Sequence, residues 1–307
     1  MKKIVAGLFV ASLVFAGCSN APANQEAEKK ENIADAVSSE QENAQENFQE
    51  EFKGQYVMEE MNIDDNGTKI YGRMYLPVEE KDSYPLVIMS HGIGGTYENC
   101  EPYAMMCAAN GIAAFAFDFQ GGGPASQSDG EMVDMSTLTE AQDLEVVSET
   151  LKQLPYVQKE NVFLFGESQG GFVSAYVSAN HPDAYNSVVL LYPAFVLQND
   201  AWEKYPEGPE TALDVEEIYG LMVGKQSYID NMSFDIYDVI KGYPQDVLII
   251  HGQNDPVVPL SYSDKAKEVY TSCEIIPLDG PQDHGFKGEQ ITLAGQHTID
   301  FVKEHLK

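Results

Sequence analysis

Val162-Phe163-Leu164-Phe165-Gly166-Glu167-Ser168-Gln169-Gly170-Gly171 runs from an unbroken apolar stretch, through a serine set between glycines, into the start of a helical period. The four apolar residues read as a strand and the segment Gly170 to Asn180 as a helix, so Ser168 falls on a sharp strand-to-helix turn. Such a turn has no room for Cβ atoms on its flanks, which is why glycine stands at both sides, and it lifts the serine Oγ above the carboxyl ends of the strands. The N-terminal end of the following helix favours negative charge developing nearby. A glycine-flanked serine recurs by chance; its place between an apolar strand and a helix makes Ser168 a candidate nucleophile.

Outward from this turn, further apolar runs without alternation occur at Leu86 to Met89, Ile112 to Phe117, Val188 to Leu191, Val247 to Ile250 and Glu274 to Leu278. Runs of that kind suit strands covered on both faces. Helical periods lie near Glu101 to Ala109, Thr139 to Leu154, Tyr262 to Tyr270 and Gln290 to His305. Before them, Tyr56 to Ile63 and Lys69 to Leu76 alternate around Asn66-Gly67, the signature of an antiparallel hairpin. An antiparallel opening followed by alternating strands and helices predicts an α/β fold with a mostly parallel central sheet flanked by helices. The segment 195–242, where one helix would suffice, reads as an insertion.

A serine hydroxyl needs a base to act as a nucleophile at neutral pH. Of the six histidines, His284 in Asp283-His284-Gly285-Phe286 follows the last strand, the place that the chain order serine, acid, histidine gives to the base. His297 and His305 read as solvated, His181 as a helix-end residue and His91 as a turn histidine bonded to backbone. The carboxylate that orients the base is assigned to Asp255, in Gly252-Gln253-Asn254-Asp255-Pro256-Val257-Val258-Pro259 just beyond the strand Val247 to Ile250. Asp283 is the rival, disfavoured because a neighbouring side chain turns poorly to the far nitrogen of the next residue. Acyl transfer also needs donors for an oxyanion, and the glycines of His91-Gly92-Ile93-Gly94-Gly95 nominate the N–H of Ile93 together with that of Gln169.

These elements in this order resemble the α/β-hydrolase superfamily and, within it, the bacterial cinnamoyl and feruloyl esterases, over about residues 54–307. The resemblance implies a lid over the active site in segment 195–242 and esterase activity on aryl or short-chain acyl esters, without metal or organic cofactor. It also points to a small-molecule or polysaccharide-linked ester as partner. Trp202, Tyr205 and Phe234 are the candidate acyl-pocket residues, although such rings could equally form the insertion's own core. One departure stands out: where the family has Asp-x-Arg-Gly-x-Gly, this chain reads Asp118-Phe119-Gln120-Gly121-Gly122-Gly123, which puts one structural ion pair in doubt. A serine peptidase of the prolyl-oligopeptidase type shares the triad order, and an idle binding protein could keep the fold.

Composition sets the remaining bounds. A 307-residue chain with 43% hydrophobic residues suits one sizeable core, and a formal charge of −31 repels phosphate backbones, so nucleic acid is excluded as a partner. Lys2 and Lys3, an apolar run from Ile4 to Ala16 and Cys18 have the layout of an export signal. Val14-Phe15-Ala16-Gly17-Cys18 resembles a bacterial lipobox. The expected organisation is a signal peptide over 1–17, lipidation at Cys18 anchoring the exported protein to the cell membrane, an acidic flexible tether over 18–53, and the catalytic domain over 54–307. Cys100, Cys107 and Cys273 read as small buried apolar residues.

Overall fold

The computed structural model describes residues 50–280 and 283–307. The expected signal peptide, Cys18 and nearly all of the tether lie outside the described residues. Two long strands open the domain, β1 (Tyr56–Asp65) and β2 (Thr68–Pro77), paired antiparallel in the register Asp65↔Thr68. The two residues between them, Asn66 at φ 51 and Gly67 at φ 97, both occupy the left-handed region, the mark of a tight hairpin turn whose twist matches its strands. Glu59, Glu60 and Asp64 are exposed along β1, charging the outer edge of the sheet against further pairing.

The chain then alternates: β3 (Tyr84–Ser90), α1 (Tyr97–Ala109), β4 (Ala113–Phe117), α2 (Thr137–Leu151), β5 (Val157–Glu167), α3 (Gln169–Asn180) and β6 (Val188–Leu191). Four short elements follow: α4 (Leu197–Lys204), β7 (Val215–Ile218), β8 (Leu221–Gly224) and α5 (Lys225–Asn231). The chain finishes with α6 (Ile236–Ile240), β9 (Val247–Gly252), α7 (Ser261–Val269), β10 (Cys273–Leu278) and α8 (Glu289–Glu304). Eight strands form one sheet in the order β1-β2-β4-β3-β5-β6-β9-β10. Only the β1–β2 and β2–β4 pairings are antiparallel; the others are parallel.

The uninterrupted apolar strands are explained by their two faces. Leu86, Ile88, Val162 and Leu164 point into one core with Leu144 and Val147 of α2 and Phe172 of α3. Their neighbours Val87, Met89, Phe163 and Phe165 point into a second core with Cys100 and Tyr103 of α1 and Ala294 and Ile299 of α8. Each strand residue is buried whichever way it faces, so alternation has nothing to encode. The helices begin earlier than the sequence periods suggest because their caps do: Thr96 and Ser136 accept from backbone N–H groups and start α1 and α2 in reciprocal capping boxes. Among the described residues, no helix is long and apolar enough to cross a membrane.

The segment 195–242 is more structured than a single extra helix. It contains the hairpin β7–β8, in the register Ile218↔Leu221, and a small apolar cluster of Ala201, Ala212, Tyr228 and Met232, against which Tyr205 and Ile218 pack. Cys100 and Cys107 are buried and free, whereas Cys273 is half-buried, because the edge strand β10 is covered less completely.

Candidate active site

Parallel strands point their carboxyl ends to one side, and the loops leaving β3, β5, β9 and β10 gather there. Ser168 follows β5 with φ 51 and ψ −117, a conformation that a residue with a side chain seldom adopts. Neighbouring backbone holds it there: its N–H donates to the Leu191 carbonyl at 2.9 Å, and its own carbonyl accepts from Phe172 at 3.1 Å and Ala194 at 2.9 Å. The flanking glycines are obligatory on steric grounds. A Cβ on Gly166 would lie 2.2 Å from the Gly170 carbonyl oxygen, and one on Gly170 would lie 2.4 Å from the carbonyl oxygens of Ser90 and His91.

The structure brings together the three residues singled out in the sequence. Ser168 Oγ lies 3.1 Å from His284 Nε2, and His284 Nδ1 lies 2.7 Å from Asp255 Oδ2. Asp255 is buried, and its second oxygen accepts from the N–H groups of Val257 and Val258, both at 2.8 Å. Burial alone would raise its pKa, but hydrogen bonds from His251 and His284, the His284 charge and the Val258 amide outweigh burial and bring it down to about 2. Asp283 serves the loops instead. It accepts from the Asn254 N–H at 2.9 Å and so ties the loop after β10 to the loop that carries Asp255.

His91 is buried, with Nδ1 2.7 Å from the Gly92 carbonyl and Nε2 accepting from the Phe119 N–H at 3.2 Å. Both bonds are satisfied only by the neutral ring protonated at Nδ1, and burial lowers its pKa to about 4. It therefore shapes the glycine loop. In that loop the amides of Gly94 and Gly95 donate to the carbonyls of Gly122 and Gly92, leaving the Ile93 N–H as the candidate donor. Gln169 opens α3, where an N–H has no intrahelical acceptor. The Gln169 side chain is fixed from behind by the buried Glu140, whose Oε2 accepts from Nε2 at 2.9 Å. Burial pushes Glu140 up to about 8.

The three aromatic candidates are spread over different surroundings. Tyr205 stacks edge-on with Tyr228 at 4.9 Å and donates to Glu216 at 3.0 Å; Phe234 packs on Phe172 and Tyr176 of α3; Trp202 is 43% exposed. The segment reaches the glycine loop through Leu221 instead: a Cβ on Gly94 would lie 2.6 Å from Leu221 Cδ1. No pattern in the sequence singled out this leucine, since the Tyr219-Gly220 turn that presents it is not an Asn-Gly or Asp-Gly turn. His251, also missed as a partner of the acid, lies in β9 with Nε2 2.8 Å from the Val258 carbonyl and 3.3 Å from Asp255 Oδ2. His305, expected to be solvated, has its ring nitrogens beside the Phe301 carbonyl and Asp246.

Gln120 sits as a neutral amide between two carboxylates. Gln120 Nε2 donates to Asp143 at 2.9 Å and to Asp65 at 3.1 Å, and its backbone N–H donates to Asp143 at 2.7 Å. Asp143 makes no ion pair among the described residues, and burial pushes it up to about 7. A cavity of about 300 Å³ lies beside this network; Asp65, Gln120, Asp134 and Asp143 line it, and neither Ser168 nor His284 does.

A mostly parallel eight-stranded sheet between two helical layers, with a serine on a strained turn after β5, is the α/β-hydrolase fold. Comparisons with known proteins agree. Residues 82–215 match the family described as "Serine aminopeptidase, S33". A monoglyceride lipase of Mus musculus is 34% identical over 122 residues, 37% of this chain and 36% of the lipase, so the chain spans about a third of the length of the curated relative it matches. Among solved structures, Est1E from Butyrivibrio proteoclasticus with bound ferulic acid superposes with a TM-score of 0.73 at 23% identity, covering 80% of this chain and 98% of that one. A monoacylglycerol lipase from Paleococcus ferrophilus superposes at 0.58 with 18% identity, covering 77% and 99%.

Proposed function

We propose that the protein is a serine hydrolase that cleaves carboxylic esters through an acyl-enzyme. The observation that carries this reading is the hydrogen-bonded line from Ser168 Oγ through His284 to Asp255, at 3.1 and 2.7 Å, beside two amides able to face an oxyanion. Asp255 holds the imidazole with Nδ1 protonated, leaving Nε2 to accept the serine proton as Oγ attacks the ester carbonyl. The tetrahedral oxyanion is met by the N–H groups of Ile93 and Gln169. His284 then returns the proton to the departing alcohol, and water repeats the sequence to free the acid.

Aryl esters such as feruloyl, or short-chain acyl esters, are the proposed substrates; the likeness to a ferulic acid-bound esterase supports the first. An ester panel beside a Ser168→Ala control tests the reading, and it fails if the variant keeps even a tenth of the wild-type rate. The match to a family of aminopeptidases favours a second reading, peptide hydrolysis; paired nitroanilide and nitrophenyl substrates separate the two. The lipobox resemblance supports anchoring at the cell membrane through Cys18. Cys18→Ala should then move the protein to the soluble exported fraction, and retention in detergent-extracted membranes would contradict it.

A further inference from the structure

Glu167, the last residue of β5, is 7% exposed in a place where the proposed chemistry gives it no role. Its Oε2 accepts from the Tyr192 hydroxyl at 2.9 Å, and it also accepts from the Gly92 N–H. Tyr192 leaves β6 at φ 37, in the left-handed region where a bulky residue persists only if its surroundings dictate it. Those surroundings are the hydroxyl bond to Glu167, a bond from its N–H to the Ile250 carbonyl at 2.8 Å, and two rings. The Tyr192 ring lies 4.8 Å from the His284 ring and 4.7 Å, edge-on, from that of Phe286.

His284 stands on a loop, so strand pairing does not fix its ring. Asp255 meets its Nδ1 and Ser168 Oγ its Nε2, and both bonds act in the plane of the ring. A ring packed against it out of that plane, at 56° for Tyr192, adds a restraint on tilt, provided the packing ring is itself fixed.

We propose that Glu167 is a positioning residue: its carboxylate fixes Tyr192 and the Gly92 loop together, so that the Tyr192 ring holds His284 in line with Ser168 while the neighbouring Ile93 amide stays aimed at the oxyanion. This rests on the reading of Ser168 and His284 as nucleophile and base.

The ionisable groups facing Glu167 are Tyr192 from the segment after β6 and Cys100 and Tyr103 from α1, with His284 beyond the Tyr192 ring. Burial raises all three of the former well above their ordinary values, and it pushes Glu167 up to about 7 against the bonds from Tyr192 and Gly92. The ionised carboxylate is the form that accepts from both donors with no competing proton. Loss of a proton from Glu167 near neutrality therefore strengthens the clamp.

The test compares wild type, Glu167→Gln, Tyr192→Phe and the double variant, measuring kcat and KM across pH and the rate of Ser168 labelling by a fluorophosphonate. Each single change should lower kcat roughly tenfold, as expected when a reacting group loses its aim, with KM within about twofold. The double variant should be no slower than the worse single one, since both break one unit. The kcat profile of Glu167→Gln should show one ionisation fewer than that of wild type, with the ionisation of the base itself retained. Tyr192→Phe deletes one oxygen and keeps the ring, so it serves even where Glu167→Gln does not fold. Wild-type kcat in both variants, or losses that simply multiply, would overturn the proposal. A wild type that hydrolyses no ester yet takes the label sinks the ester reading alone; slower labelling of the variants then supports the clamp, and equal labelling overturns it. A wild type that does neither sinks both.

Discussion

Along the carboxyl edge of the sheet, each bend is fixed by backbone with no alternative course, whereas the segment 195–242 is held mainly by side chains packed on one another. Gly166 and Gly170 leave no room for a methyl group, and the Ser168 backbone is bonded on both sides to the segment after β6 and to α3. In the inserted segment, by contrast, Tyr205 and Tyr228 share the Glu216 carboxylate at 3.0 and 2.6 Å, and Leu213, Tyr219 and Met222 face solvent. Geometry good to a fraction of an ångström is needed where bonds are made and broken, and backbone supplies it. Packing of side chains on one another elsewhere can be looser.

The sharpest way to break this comparison is at the edge itself. Ser168→Ala should lower turnover by roughly 10⁴ or more while the fold persists, checked by kinetics beside circular dichroism. Next, Asp255→Asn should cost about 10³ to 10⁴ in kcat, because it upsets the tautomer of the base, while Asp283→Asn, touching only the loop at Asn254, should cost less than about tenfold. Equal losses would reassign the acid.

In the inserted segment effects should be smaller and fall on selectivity. Leu221→Ala opens space above Gly94, and the ratio of kcat/KM for a bulky aryl methyl ester to that for a small aliphatic one should rise by roughly tenfold. Trp202→Ala, at an exposed position, should leave that ratio within about twofold. A larger change at Trp202 than at Leu221 would show that the exposed ring, and not the leucine against Gly94, meets the acyl group.

The smallest expected effect distinguishes the two regions by titration. Burial raises Glu140 from 4.5 to about 8, Asp143 from 3.8 to about 7 and Glu167 from 4.5 to about 7. Above the ordinary carboxylate range the unfolded chain has lost these protons and the folded chain keeps them. Folding therefore weakens as pH rises from about 4.5 to 8. Asp255 works with the opposite sign: its depressed pKa contributes stability above its ordinary 3.8 that is lost as pH falls towards 2. In the inserted segment Glu216 is lowered: hydrogen bonds from Lys204, Tyr228 and Tyr205 outweigh its desolvation. Thermal midpoints should fall between pH 5 and 8, and Glu140→Gln should flatten that slope. An unchanged slope would mean that Glu140 is not buried as a proton-holding group.

The two hairpins show how far local sequence reaches. Asn66-Gly67 and Tyr219-Gly220 each supply two consecutive residues at positive φ. Only the first carries the residue types that make such a turn favourable in isolation, so β1–β2 was legible and β7–β8 was not. Tyr219 accepts that conformation because tertiary packing of Leu221 and Val223, both buried, fixes β8, with which β7 pairs.

The sequence by itself determined the alternation of strands and helices, the turn at Ser168, and the order of serine, acid and histidine, because each is a local pattern: unbroken apolar runs, glycines where Cβ atoms cannot fit, polar residues just beyond strand ends. It also identified His91 as a turn residue, through its glycine neighbours. The choice of Asp255 over Asp283 was also made in the sequence, and the structure sets Asp255 2.7 Å from His284. Tertiary structure alone decided that Leu221 reaches the glycine loop while Tyr205 and Phe234 pack elsewhere, and that Glu167 and Glu140 lie buried behind the site. Those outcomes depend on distances between segments far apart in the chain, and they are fixed only when the sheet aligns its carboxyl ends and the helices close over both faces.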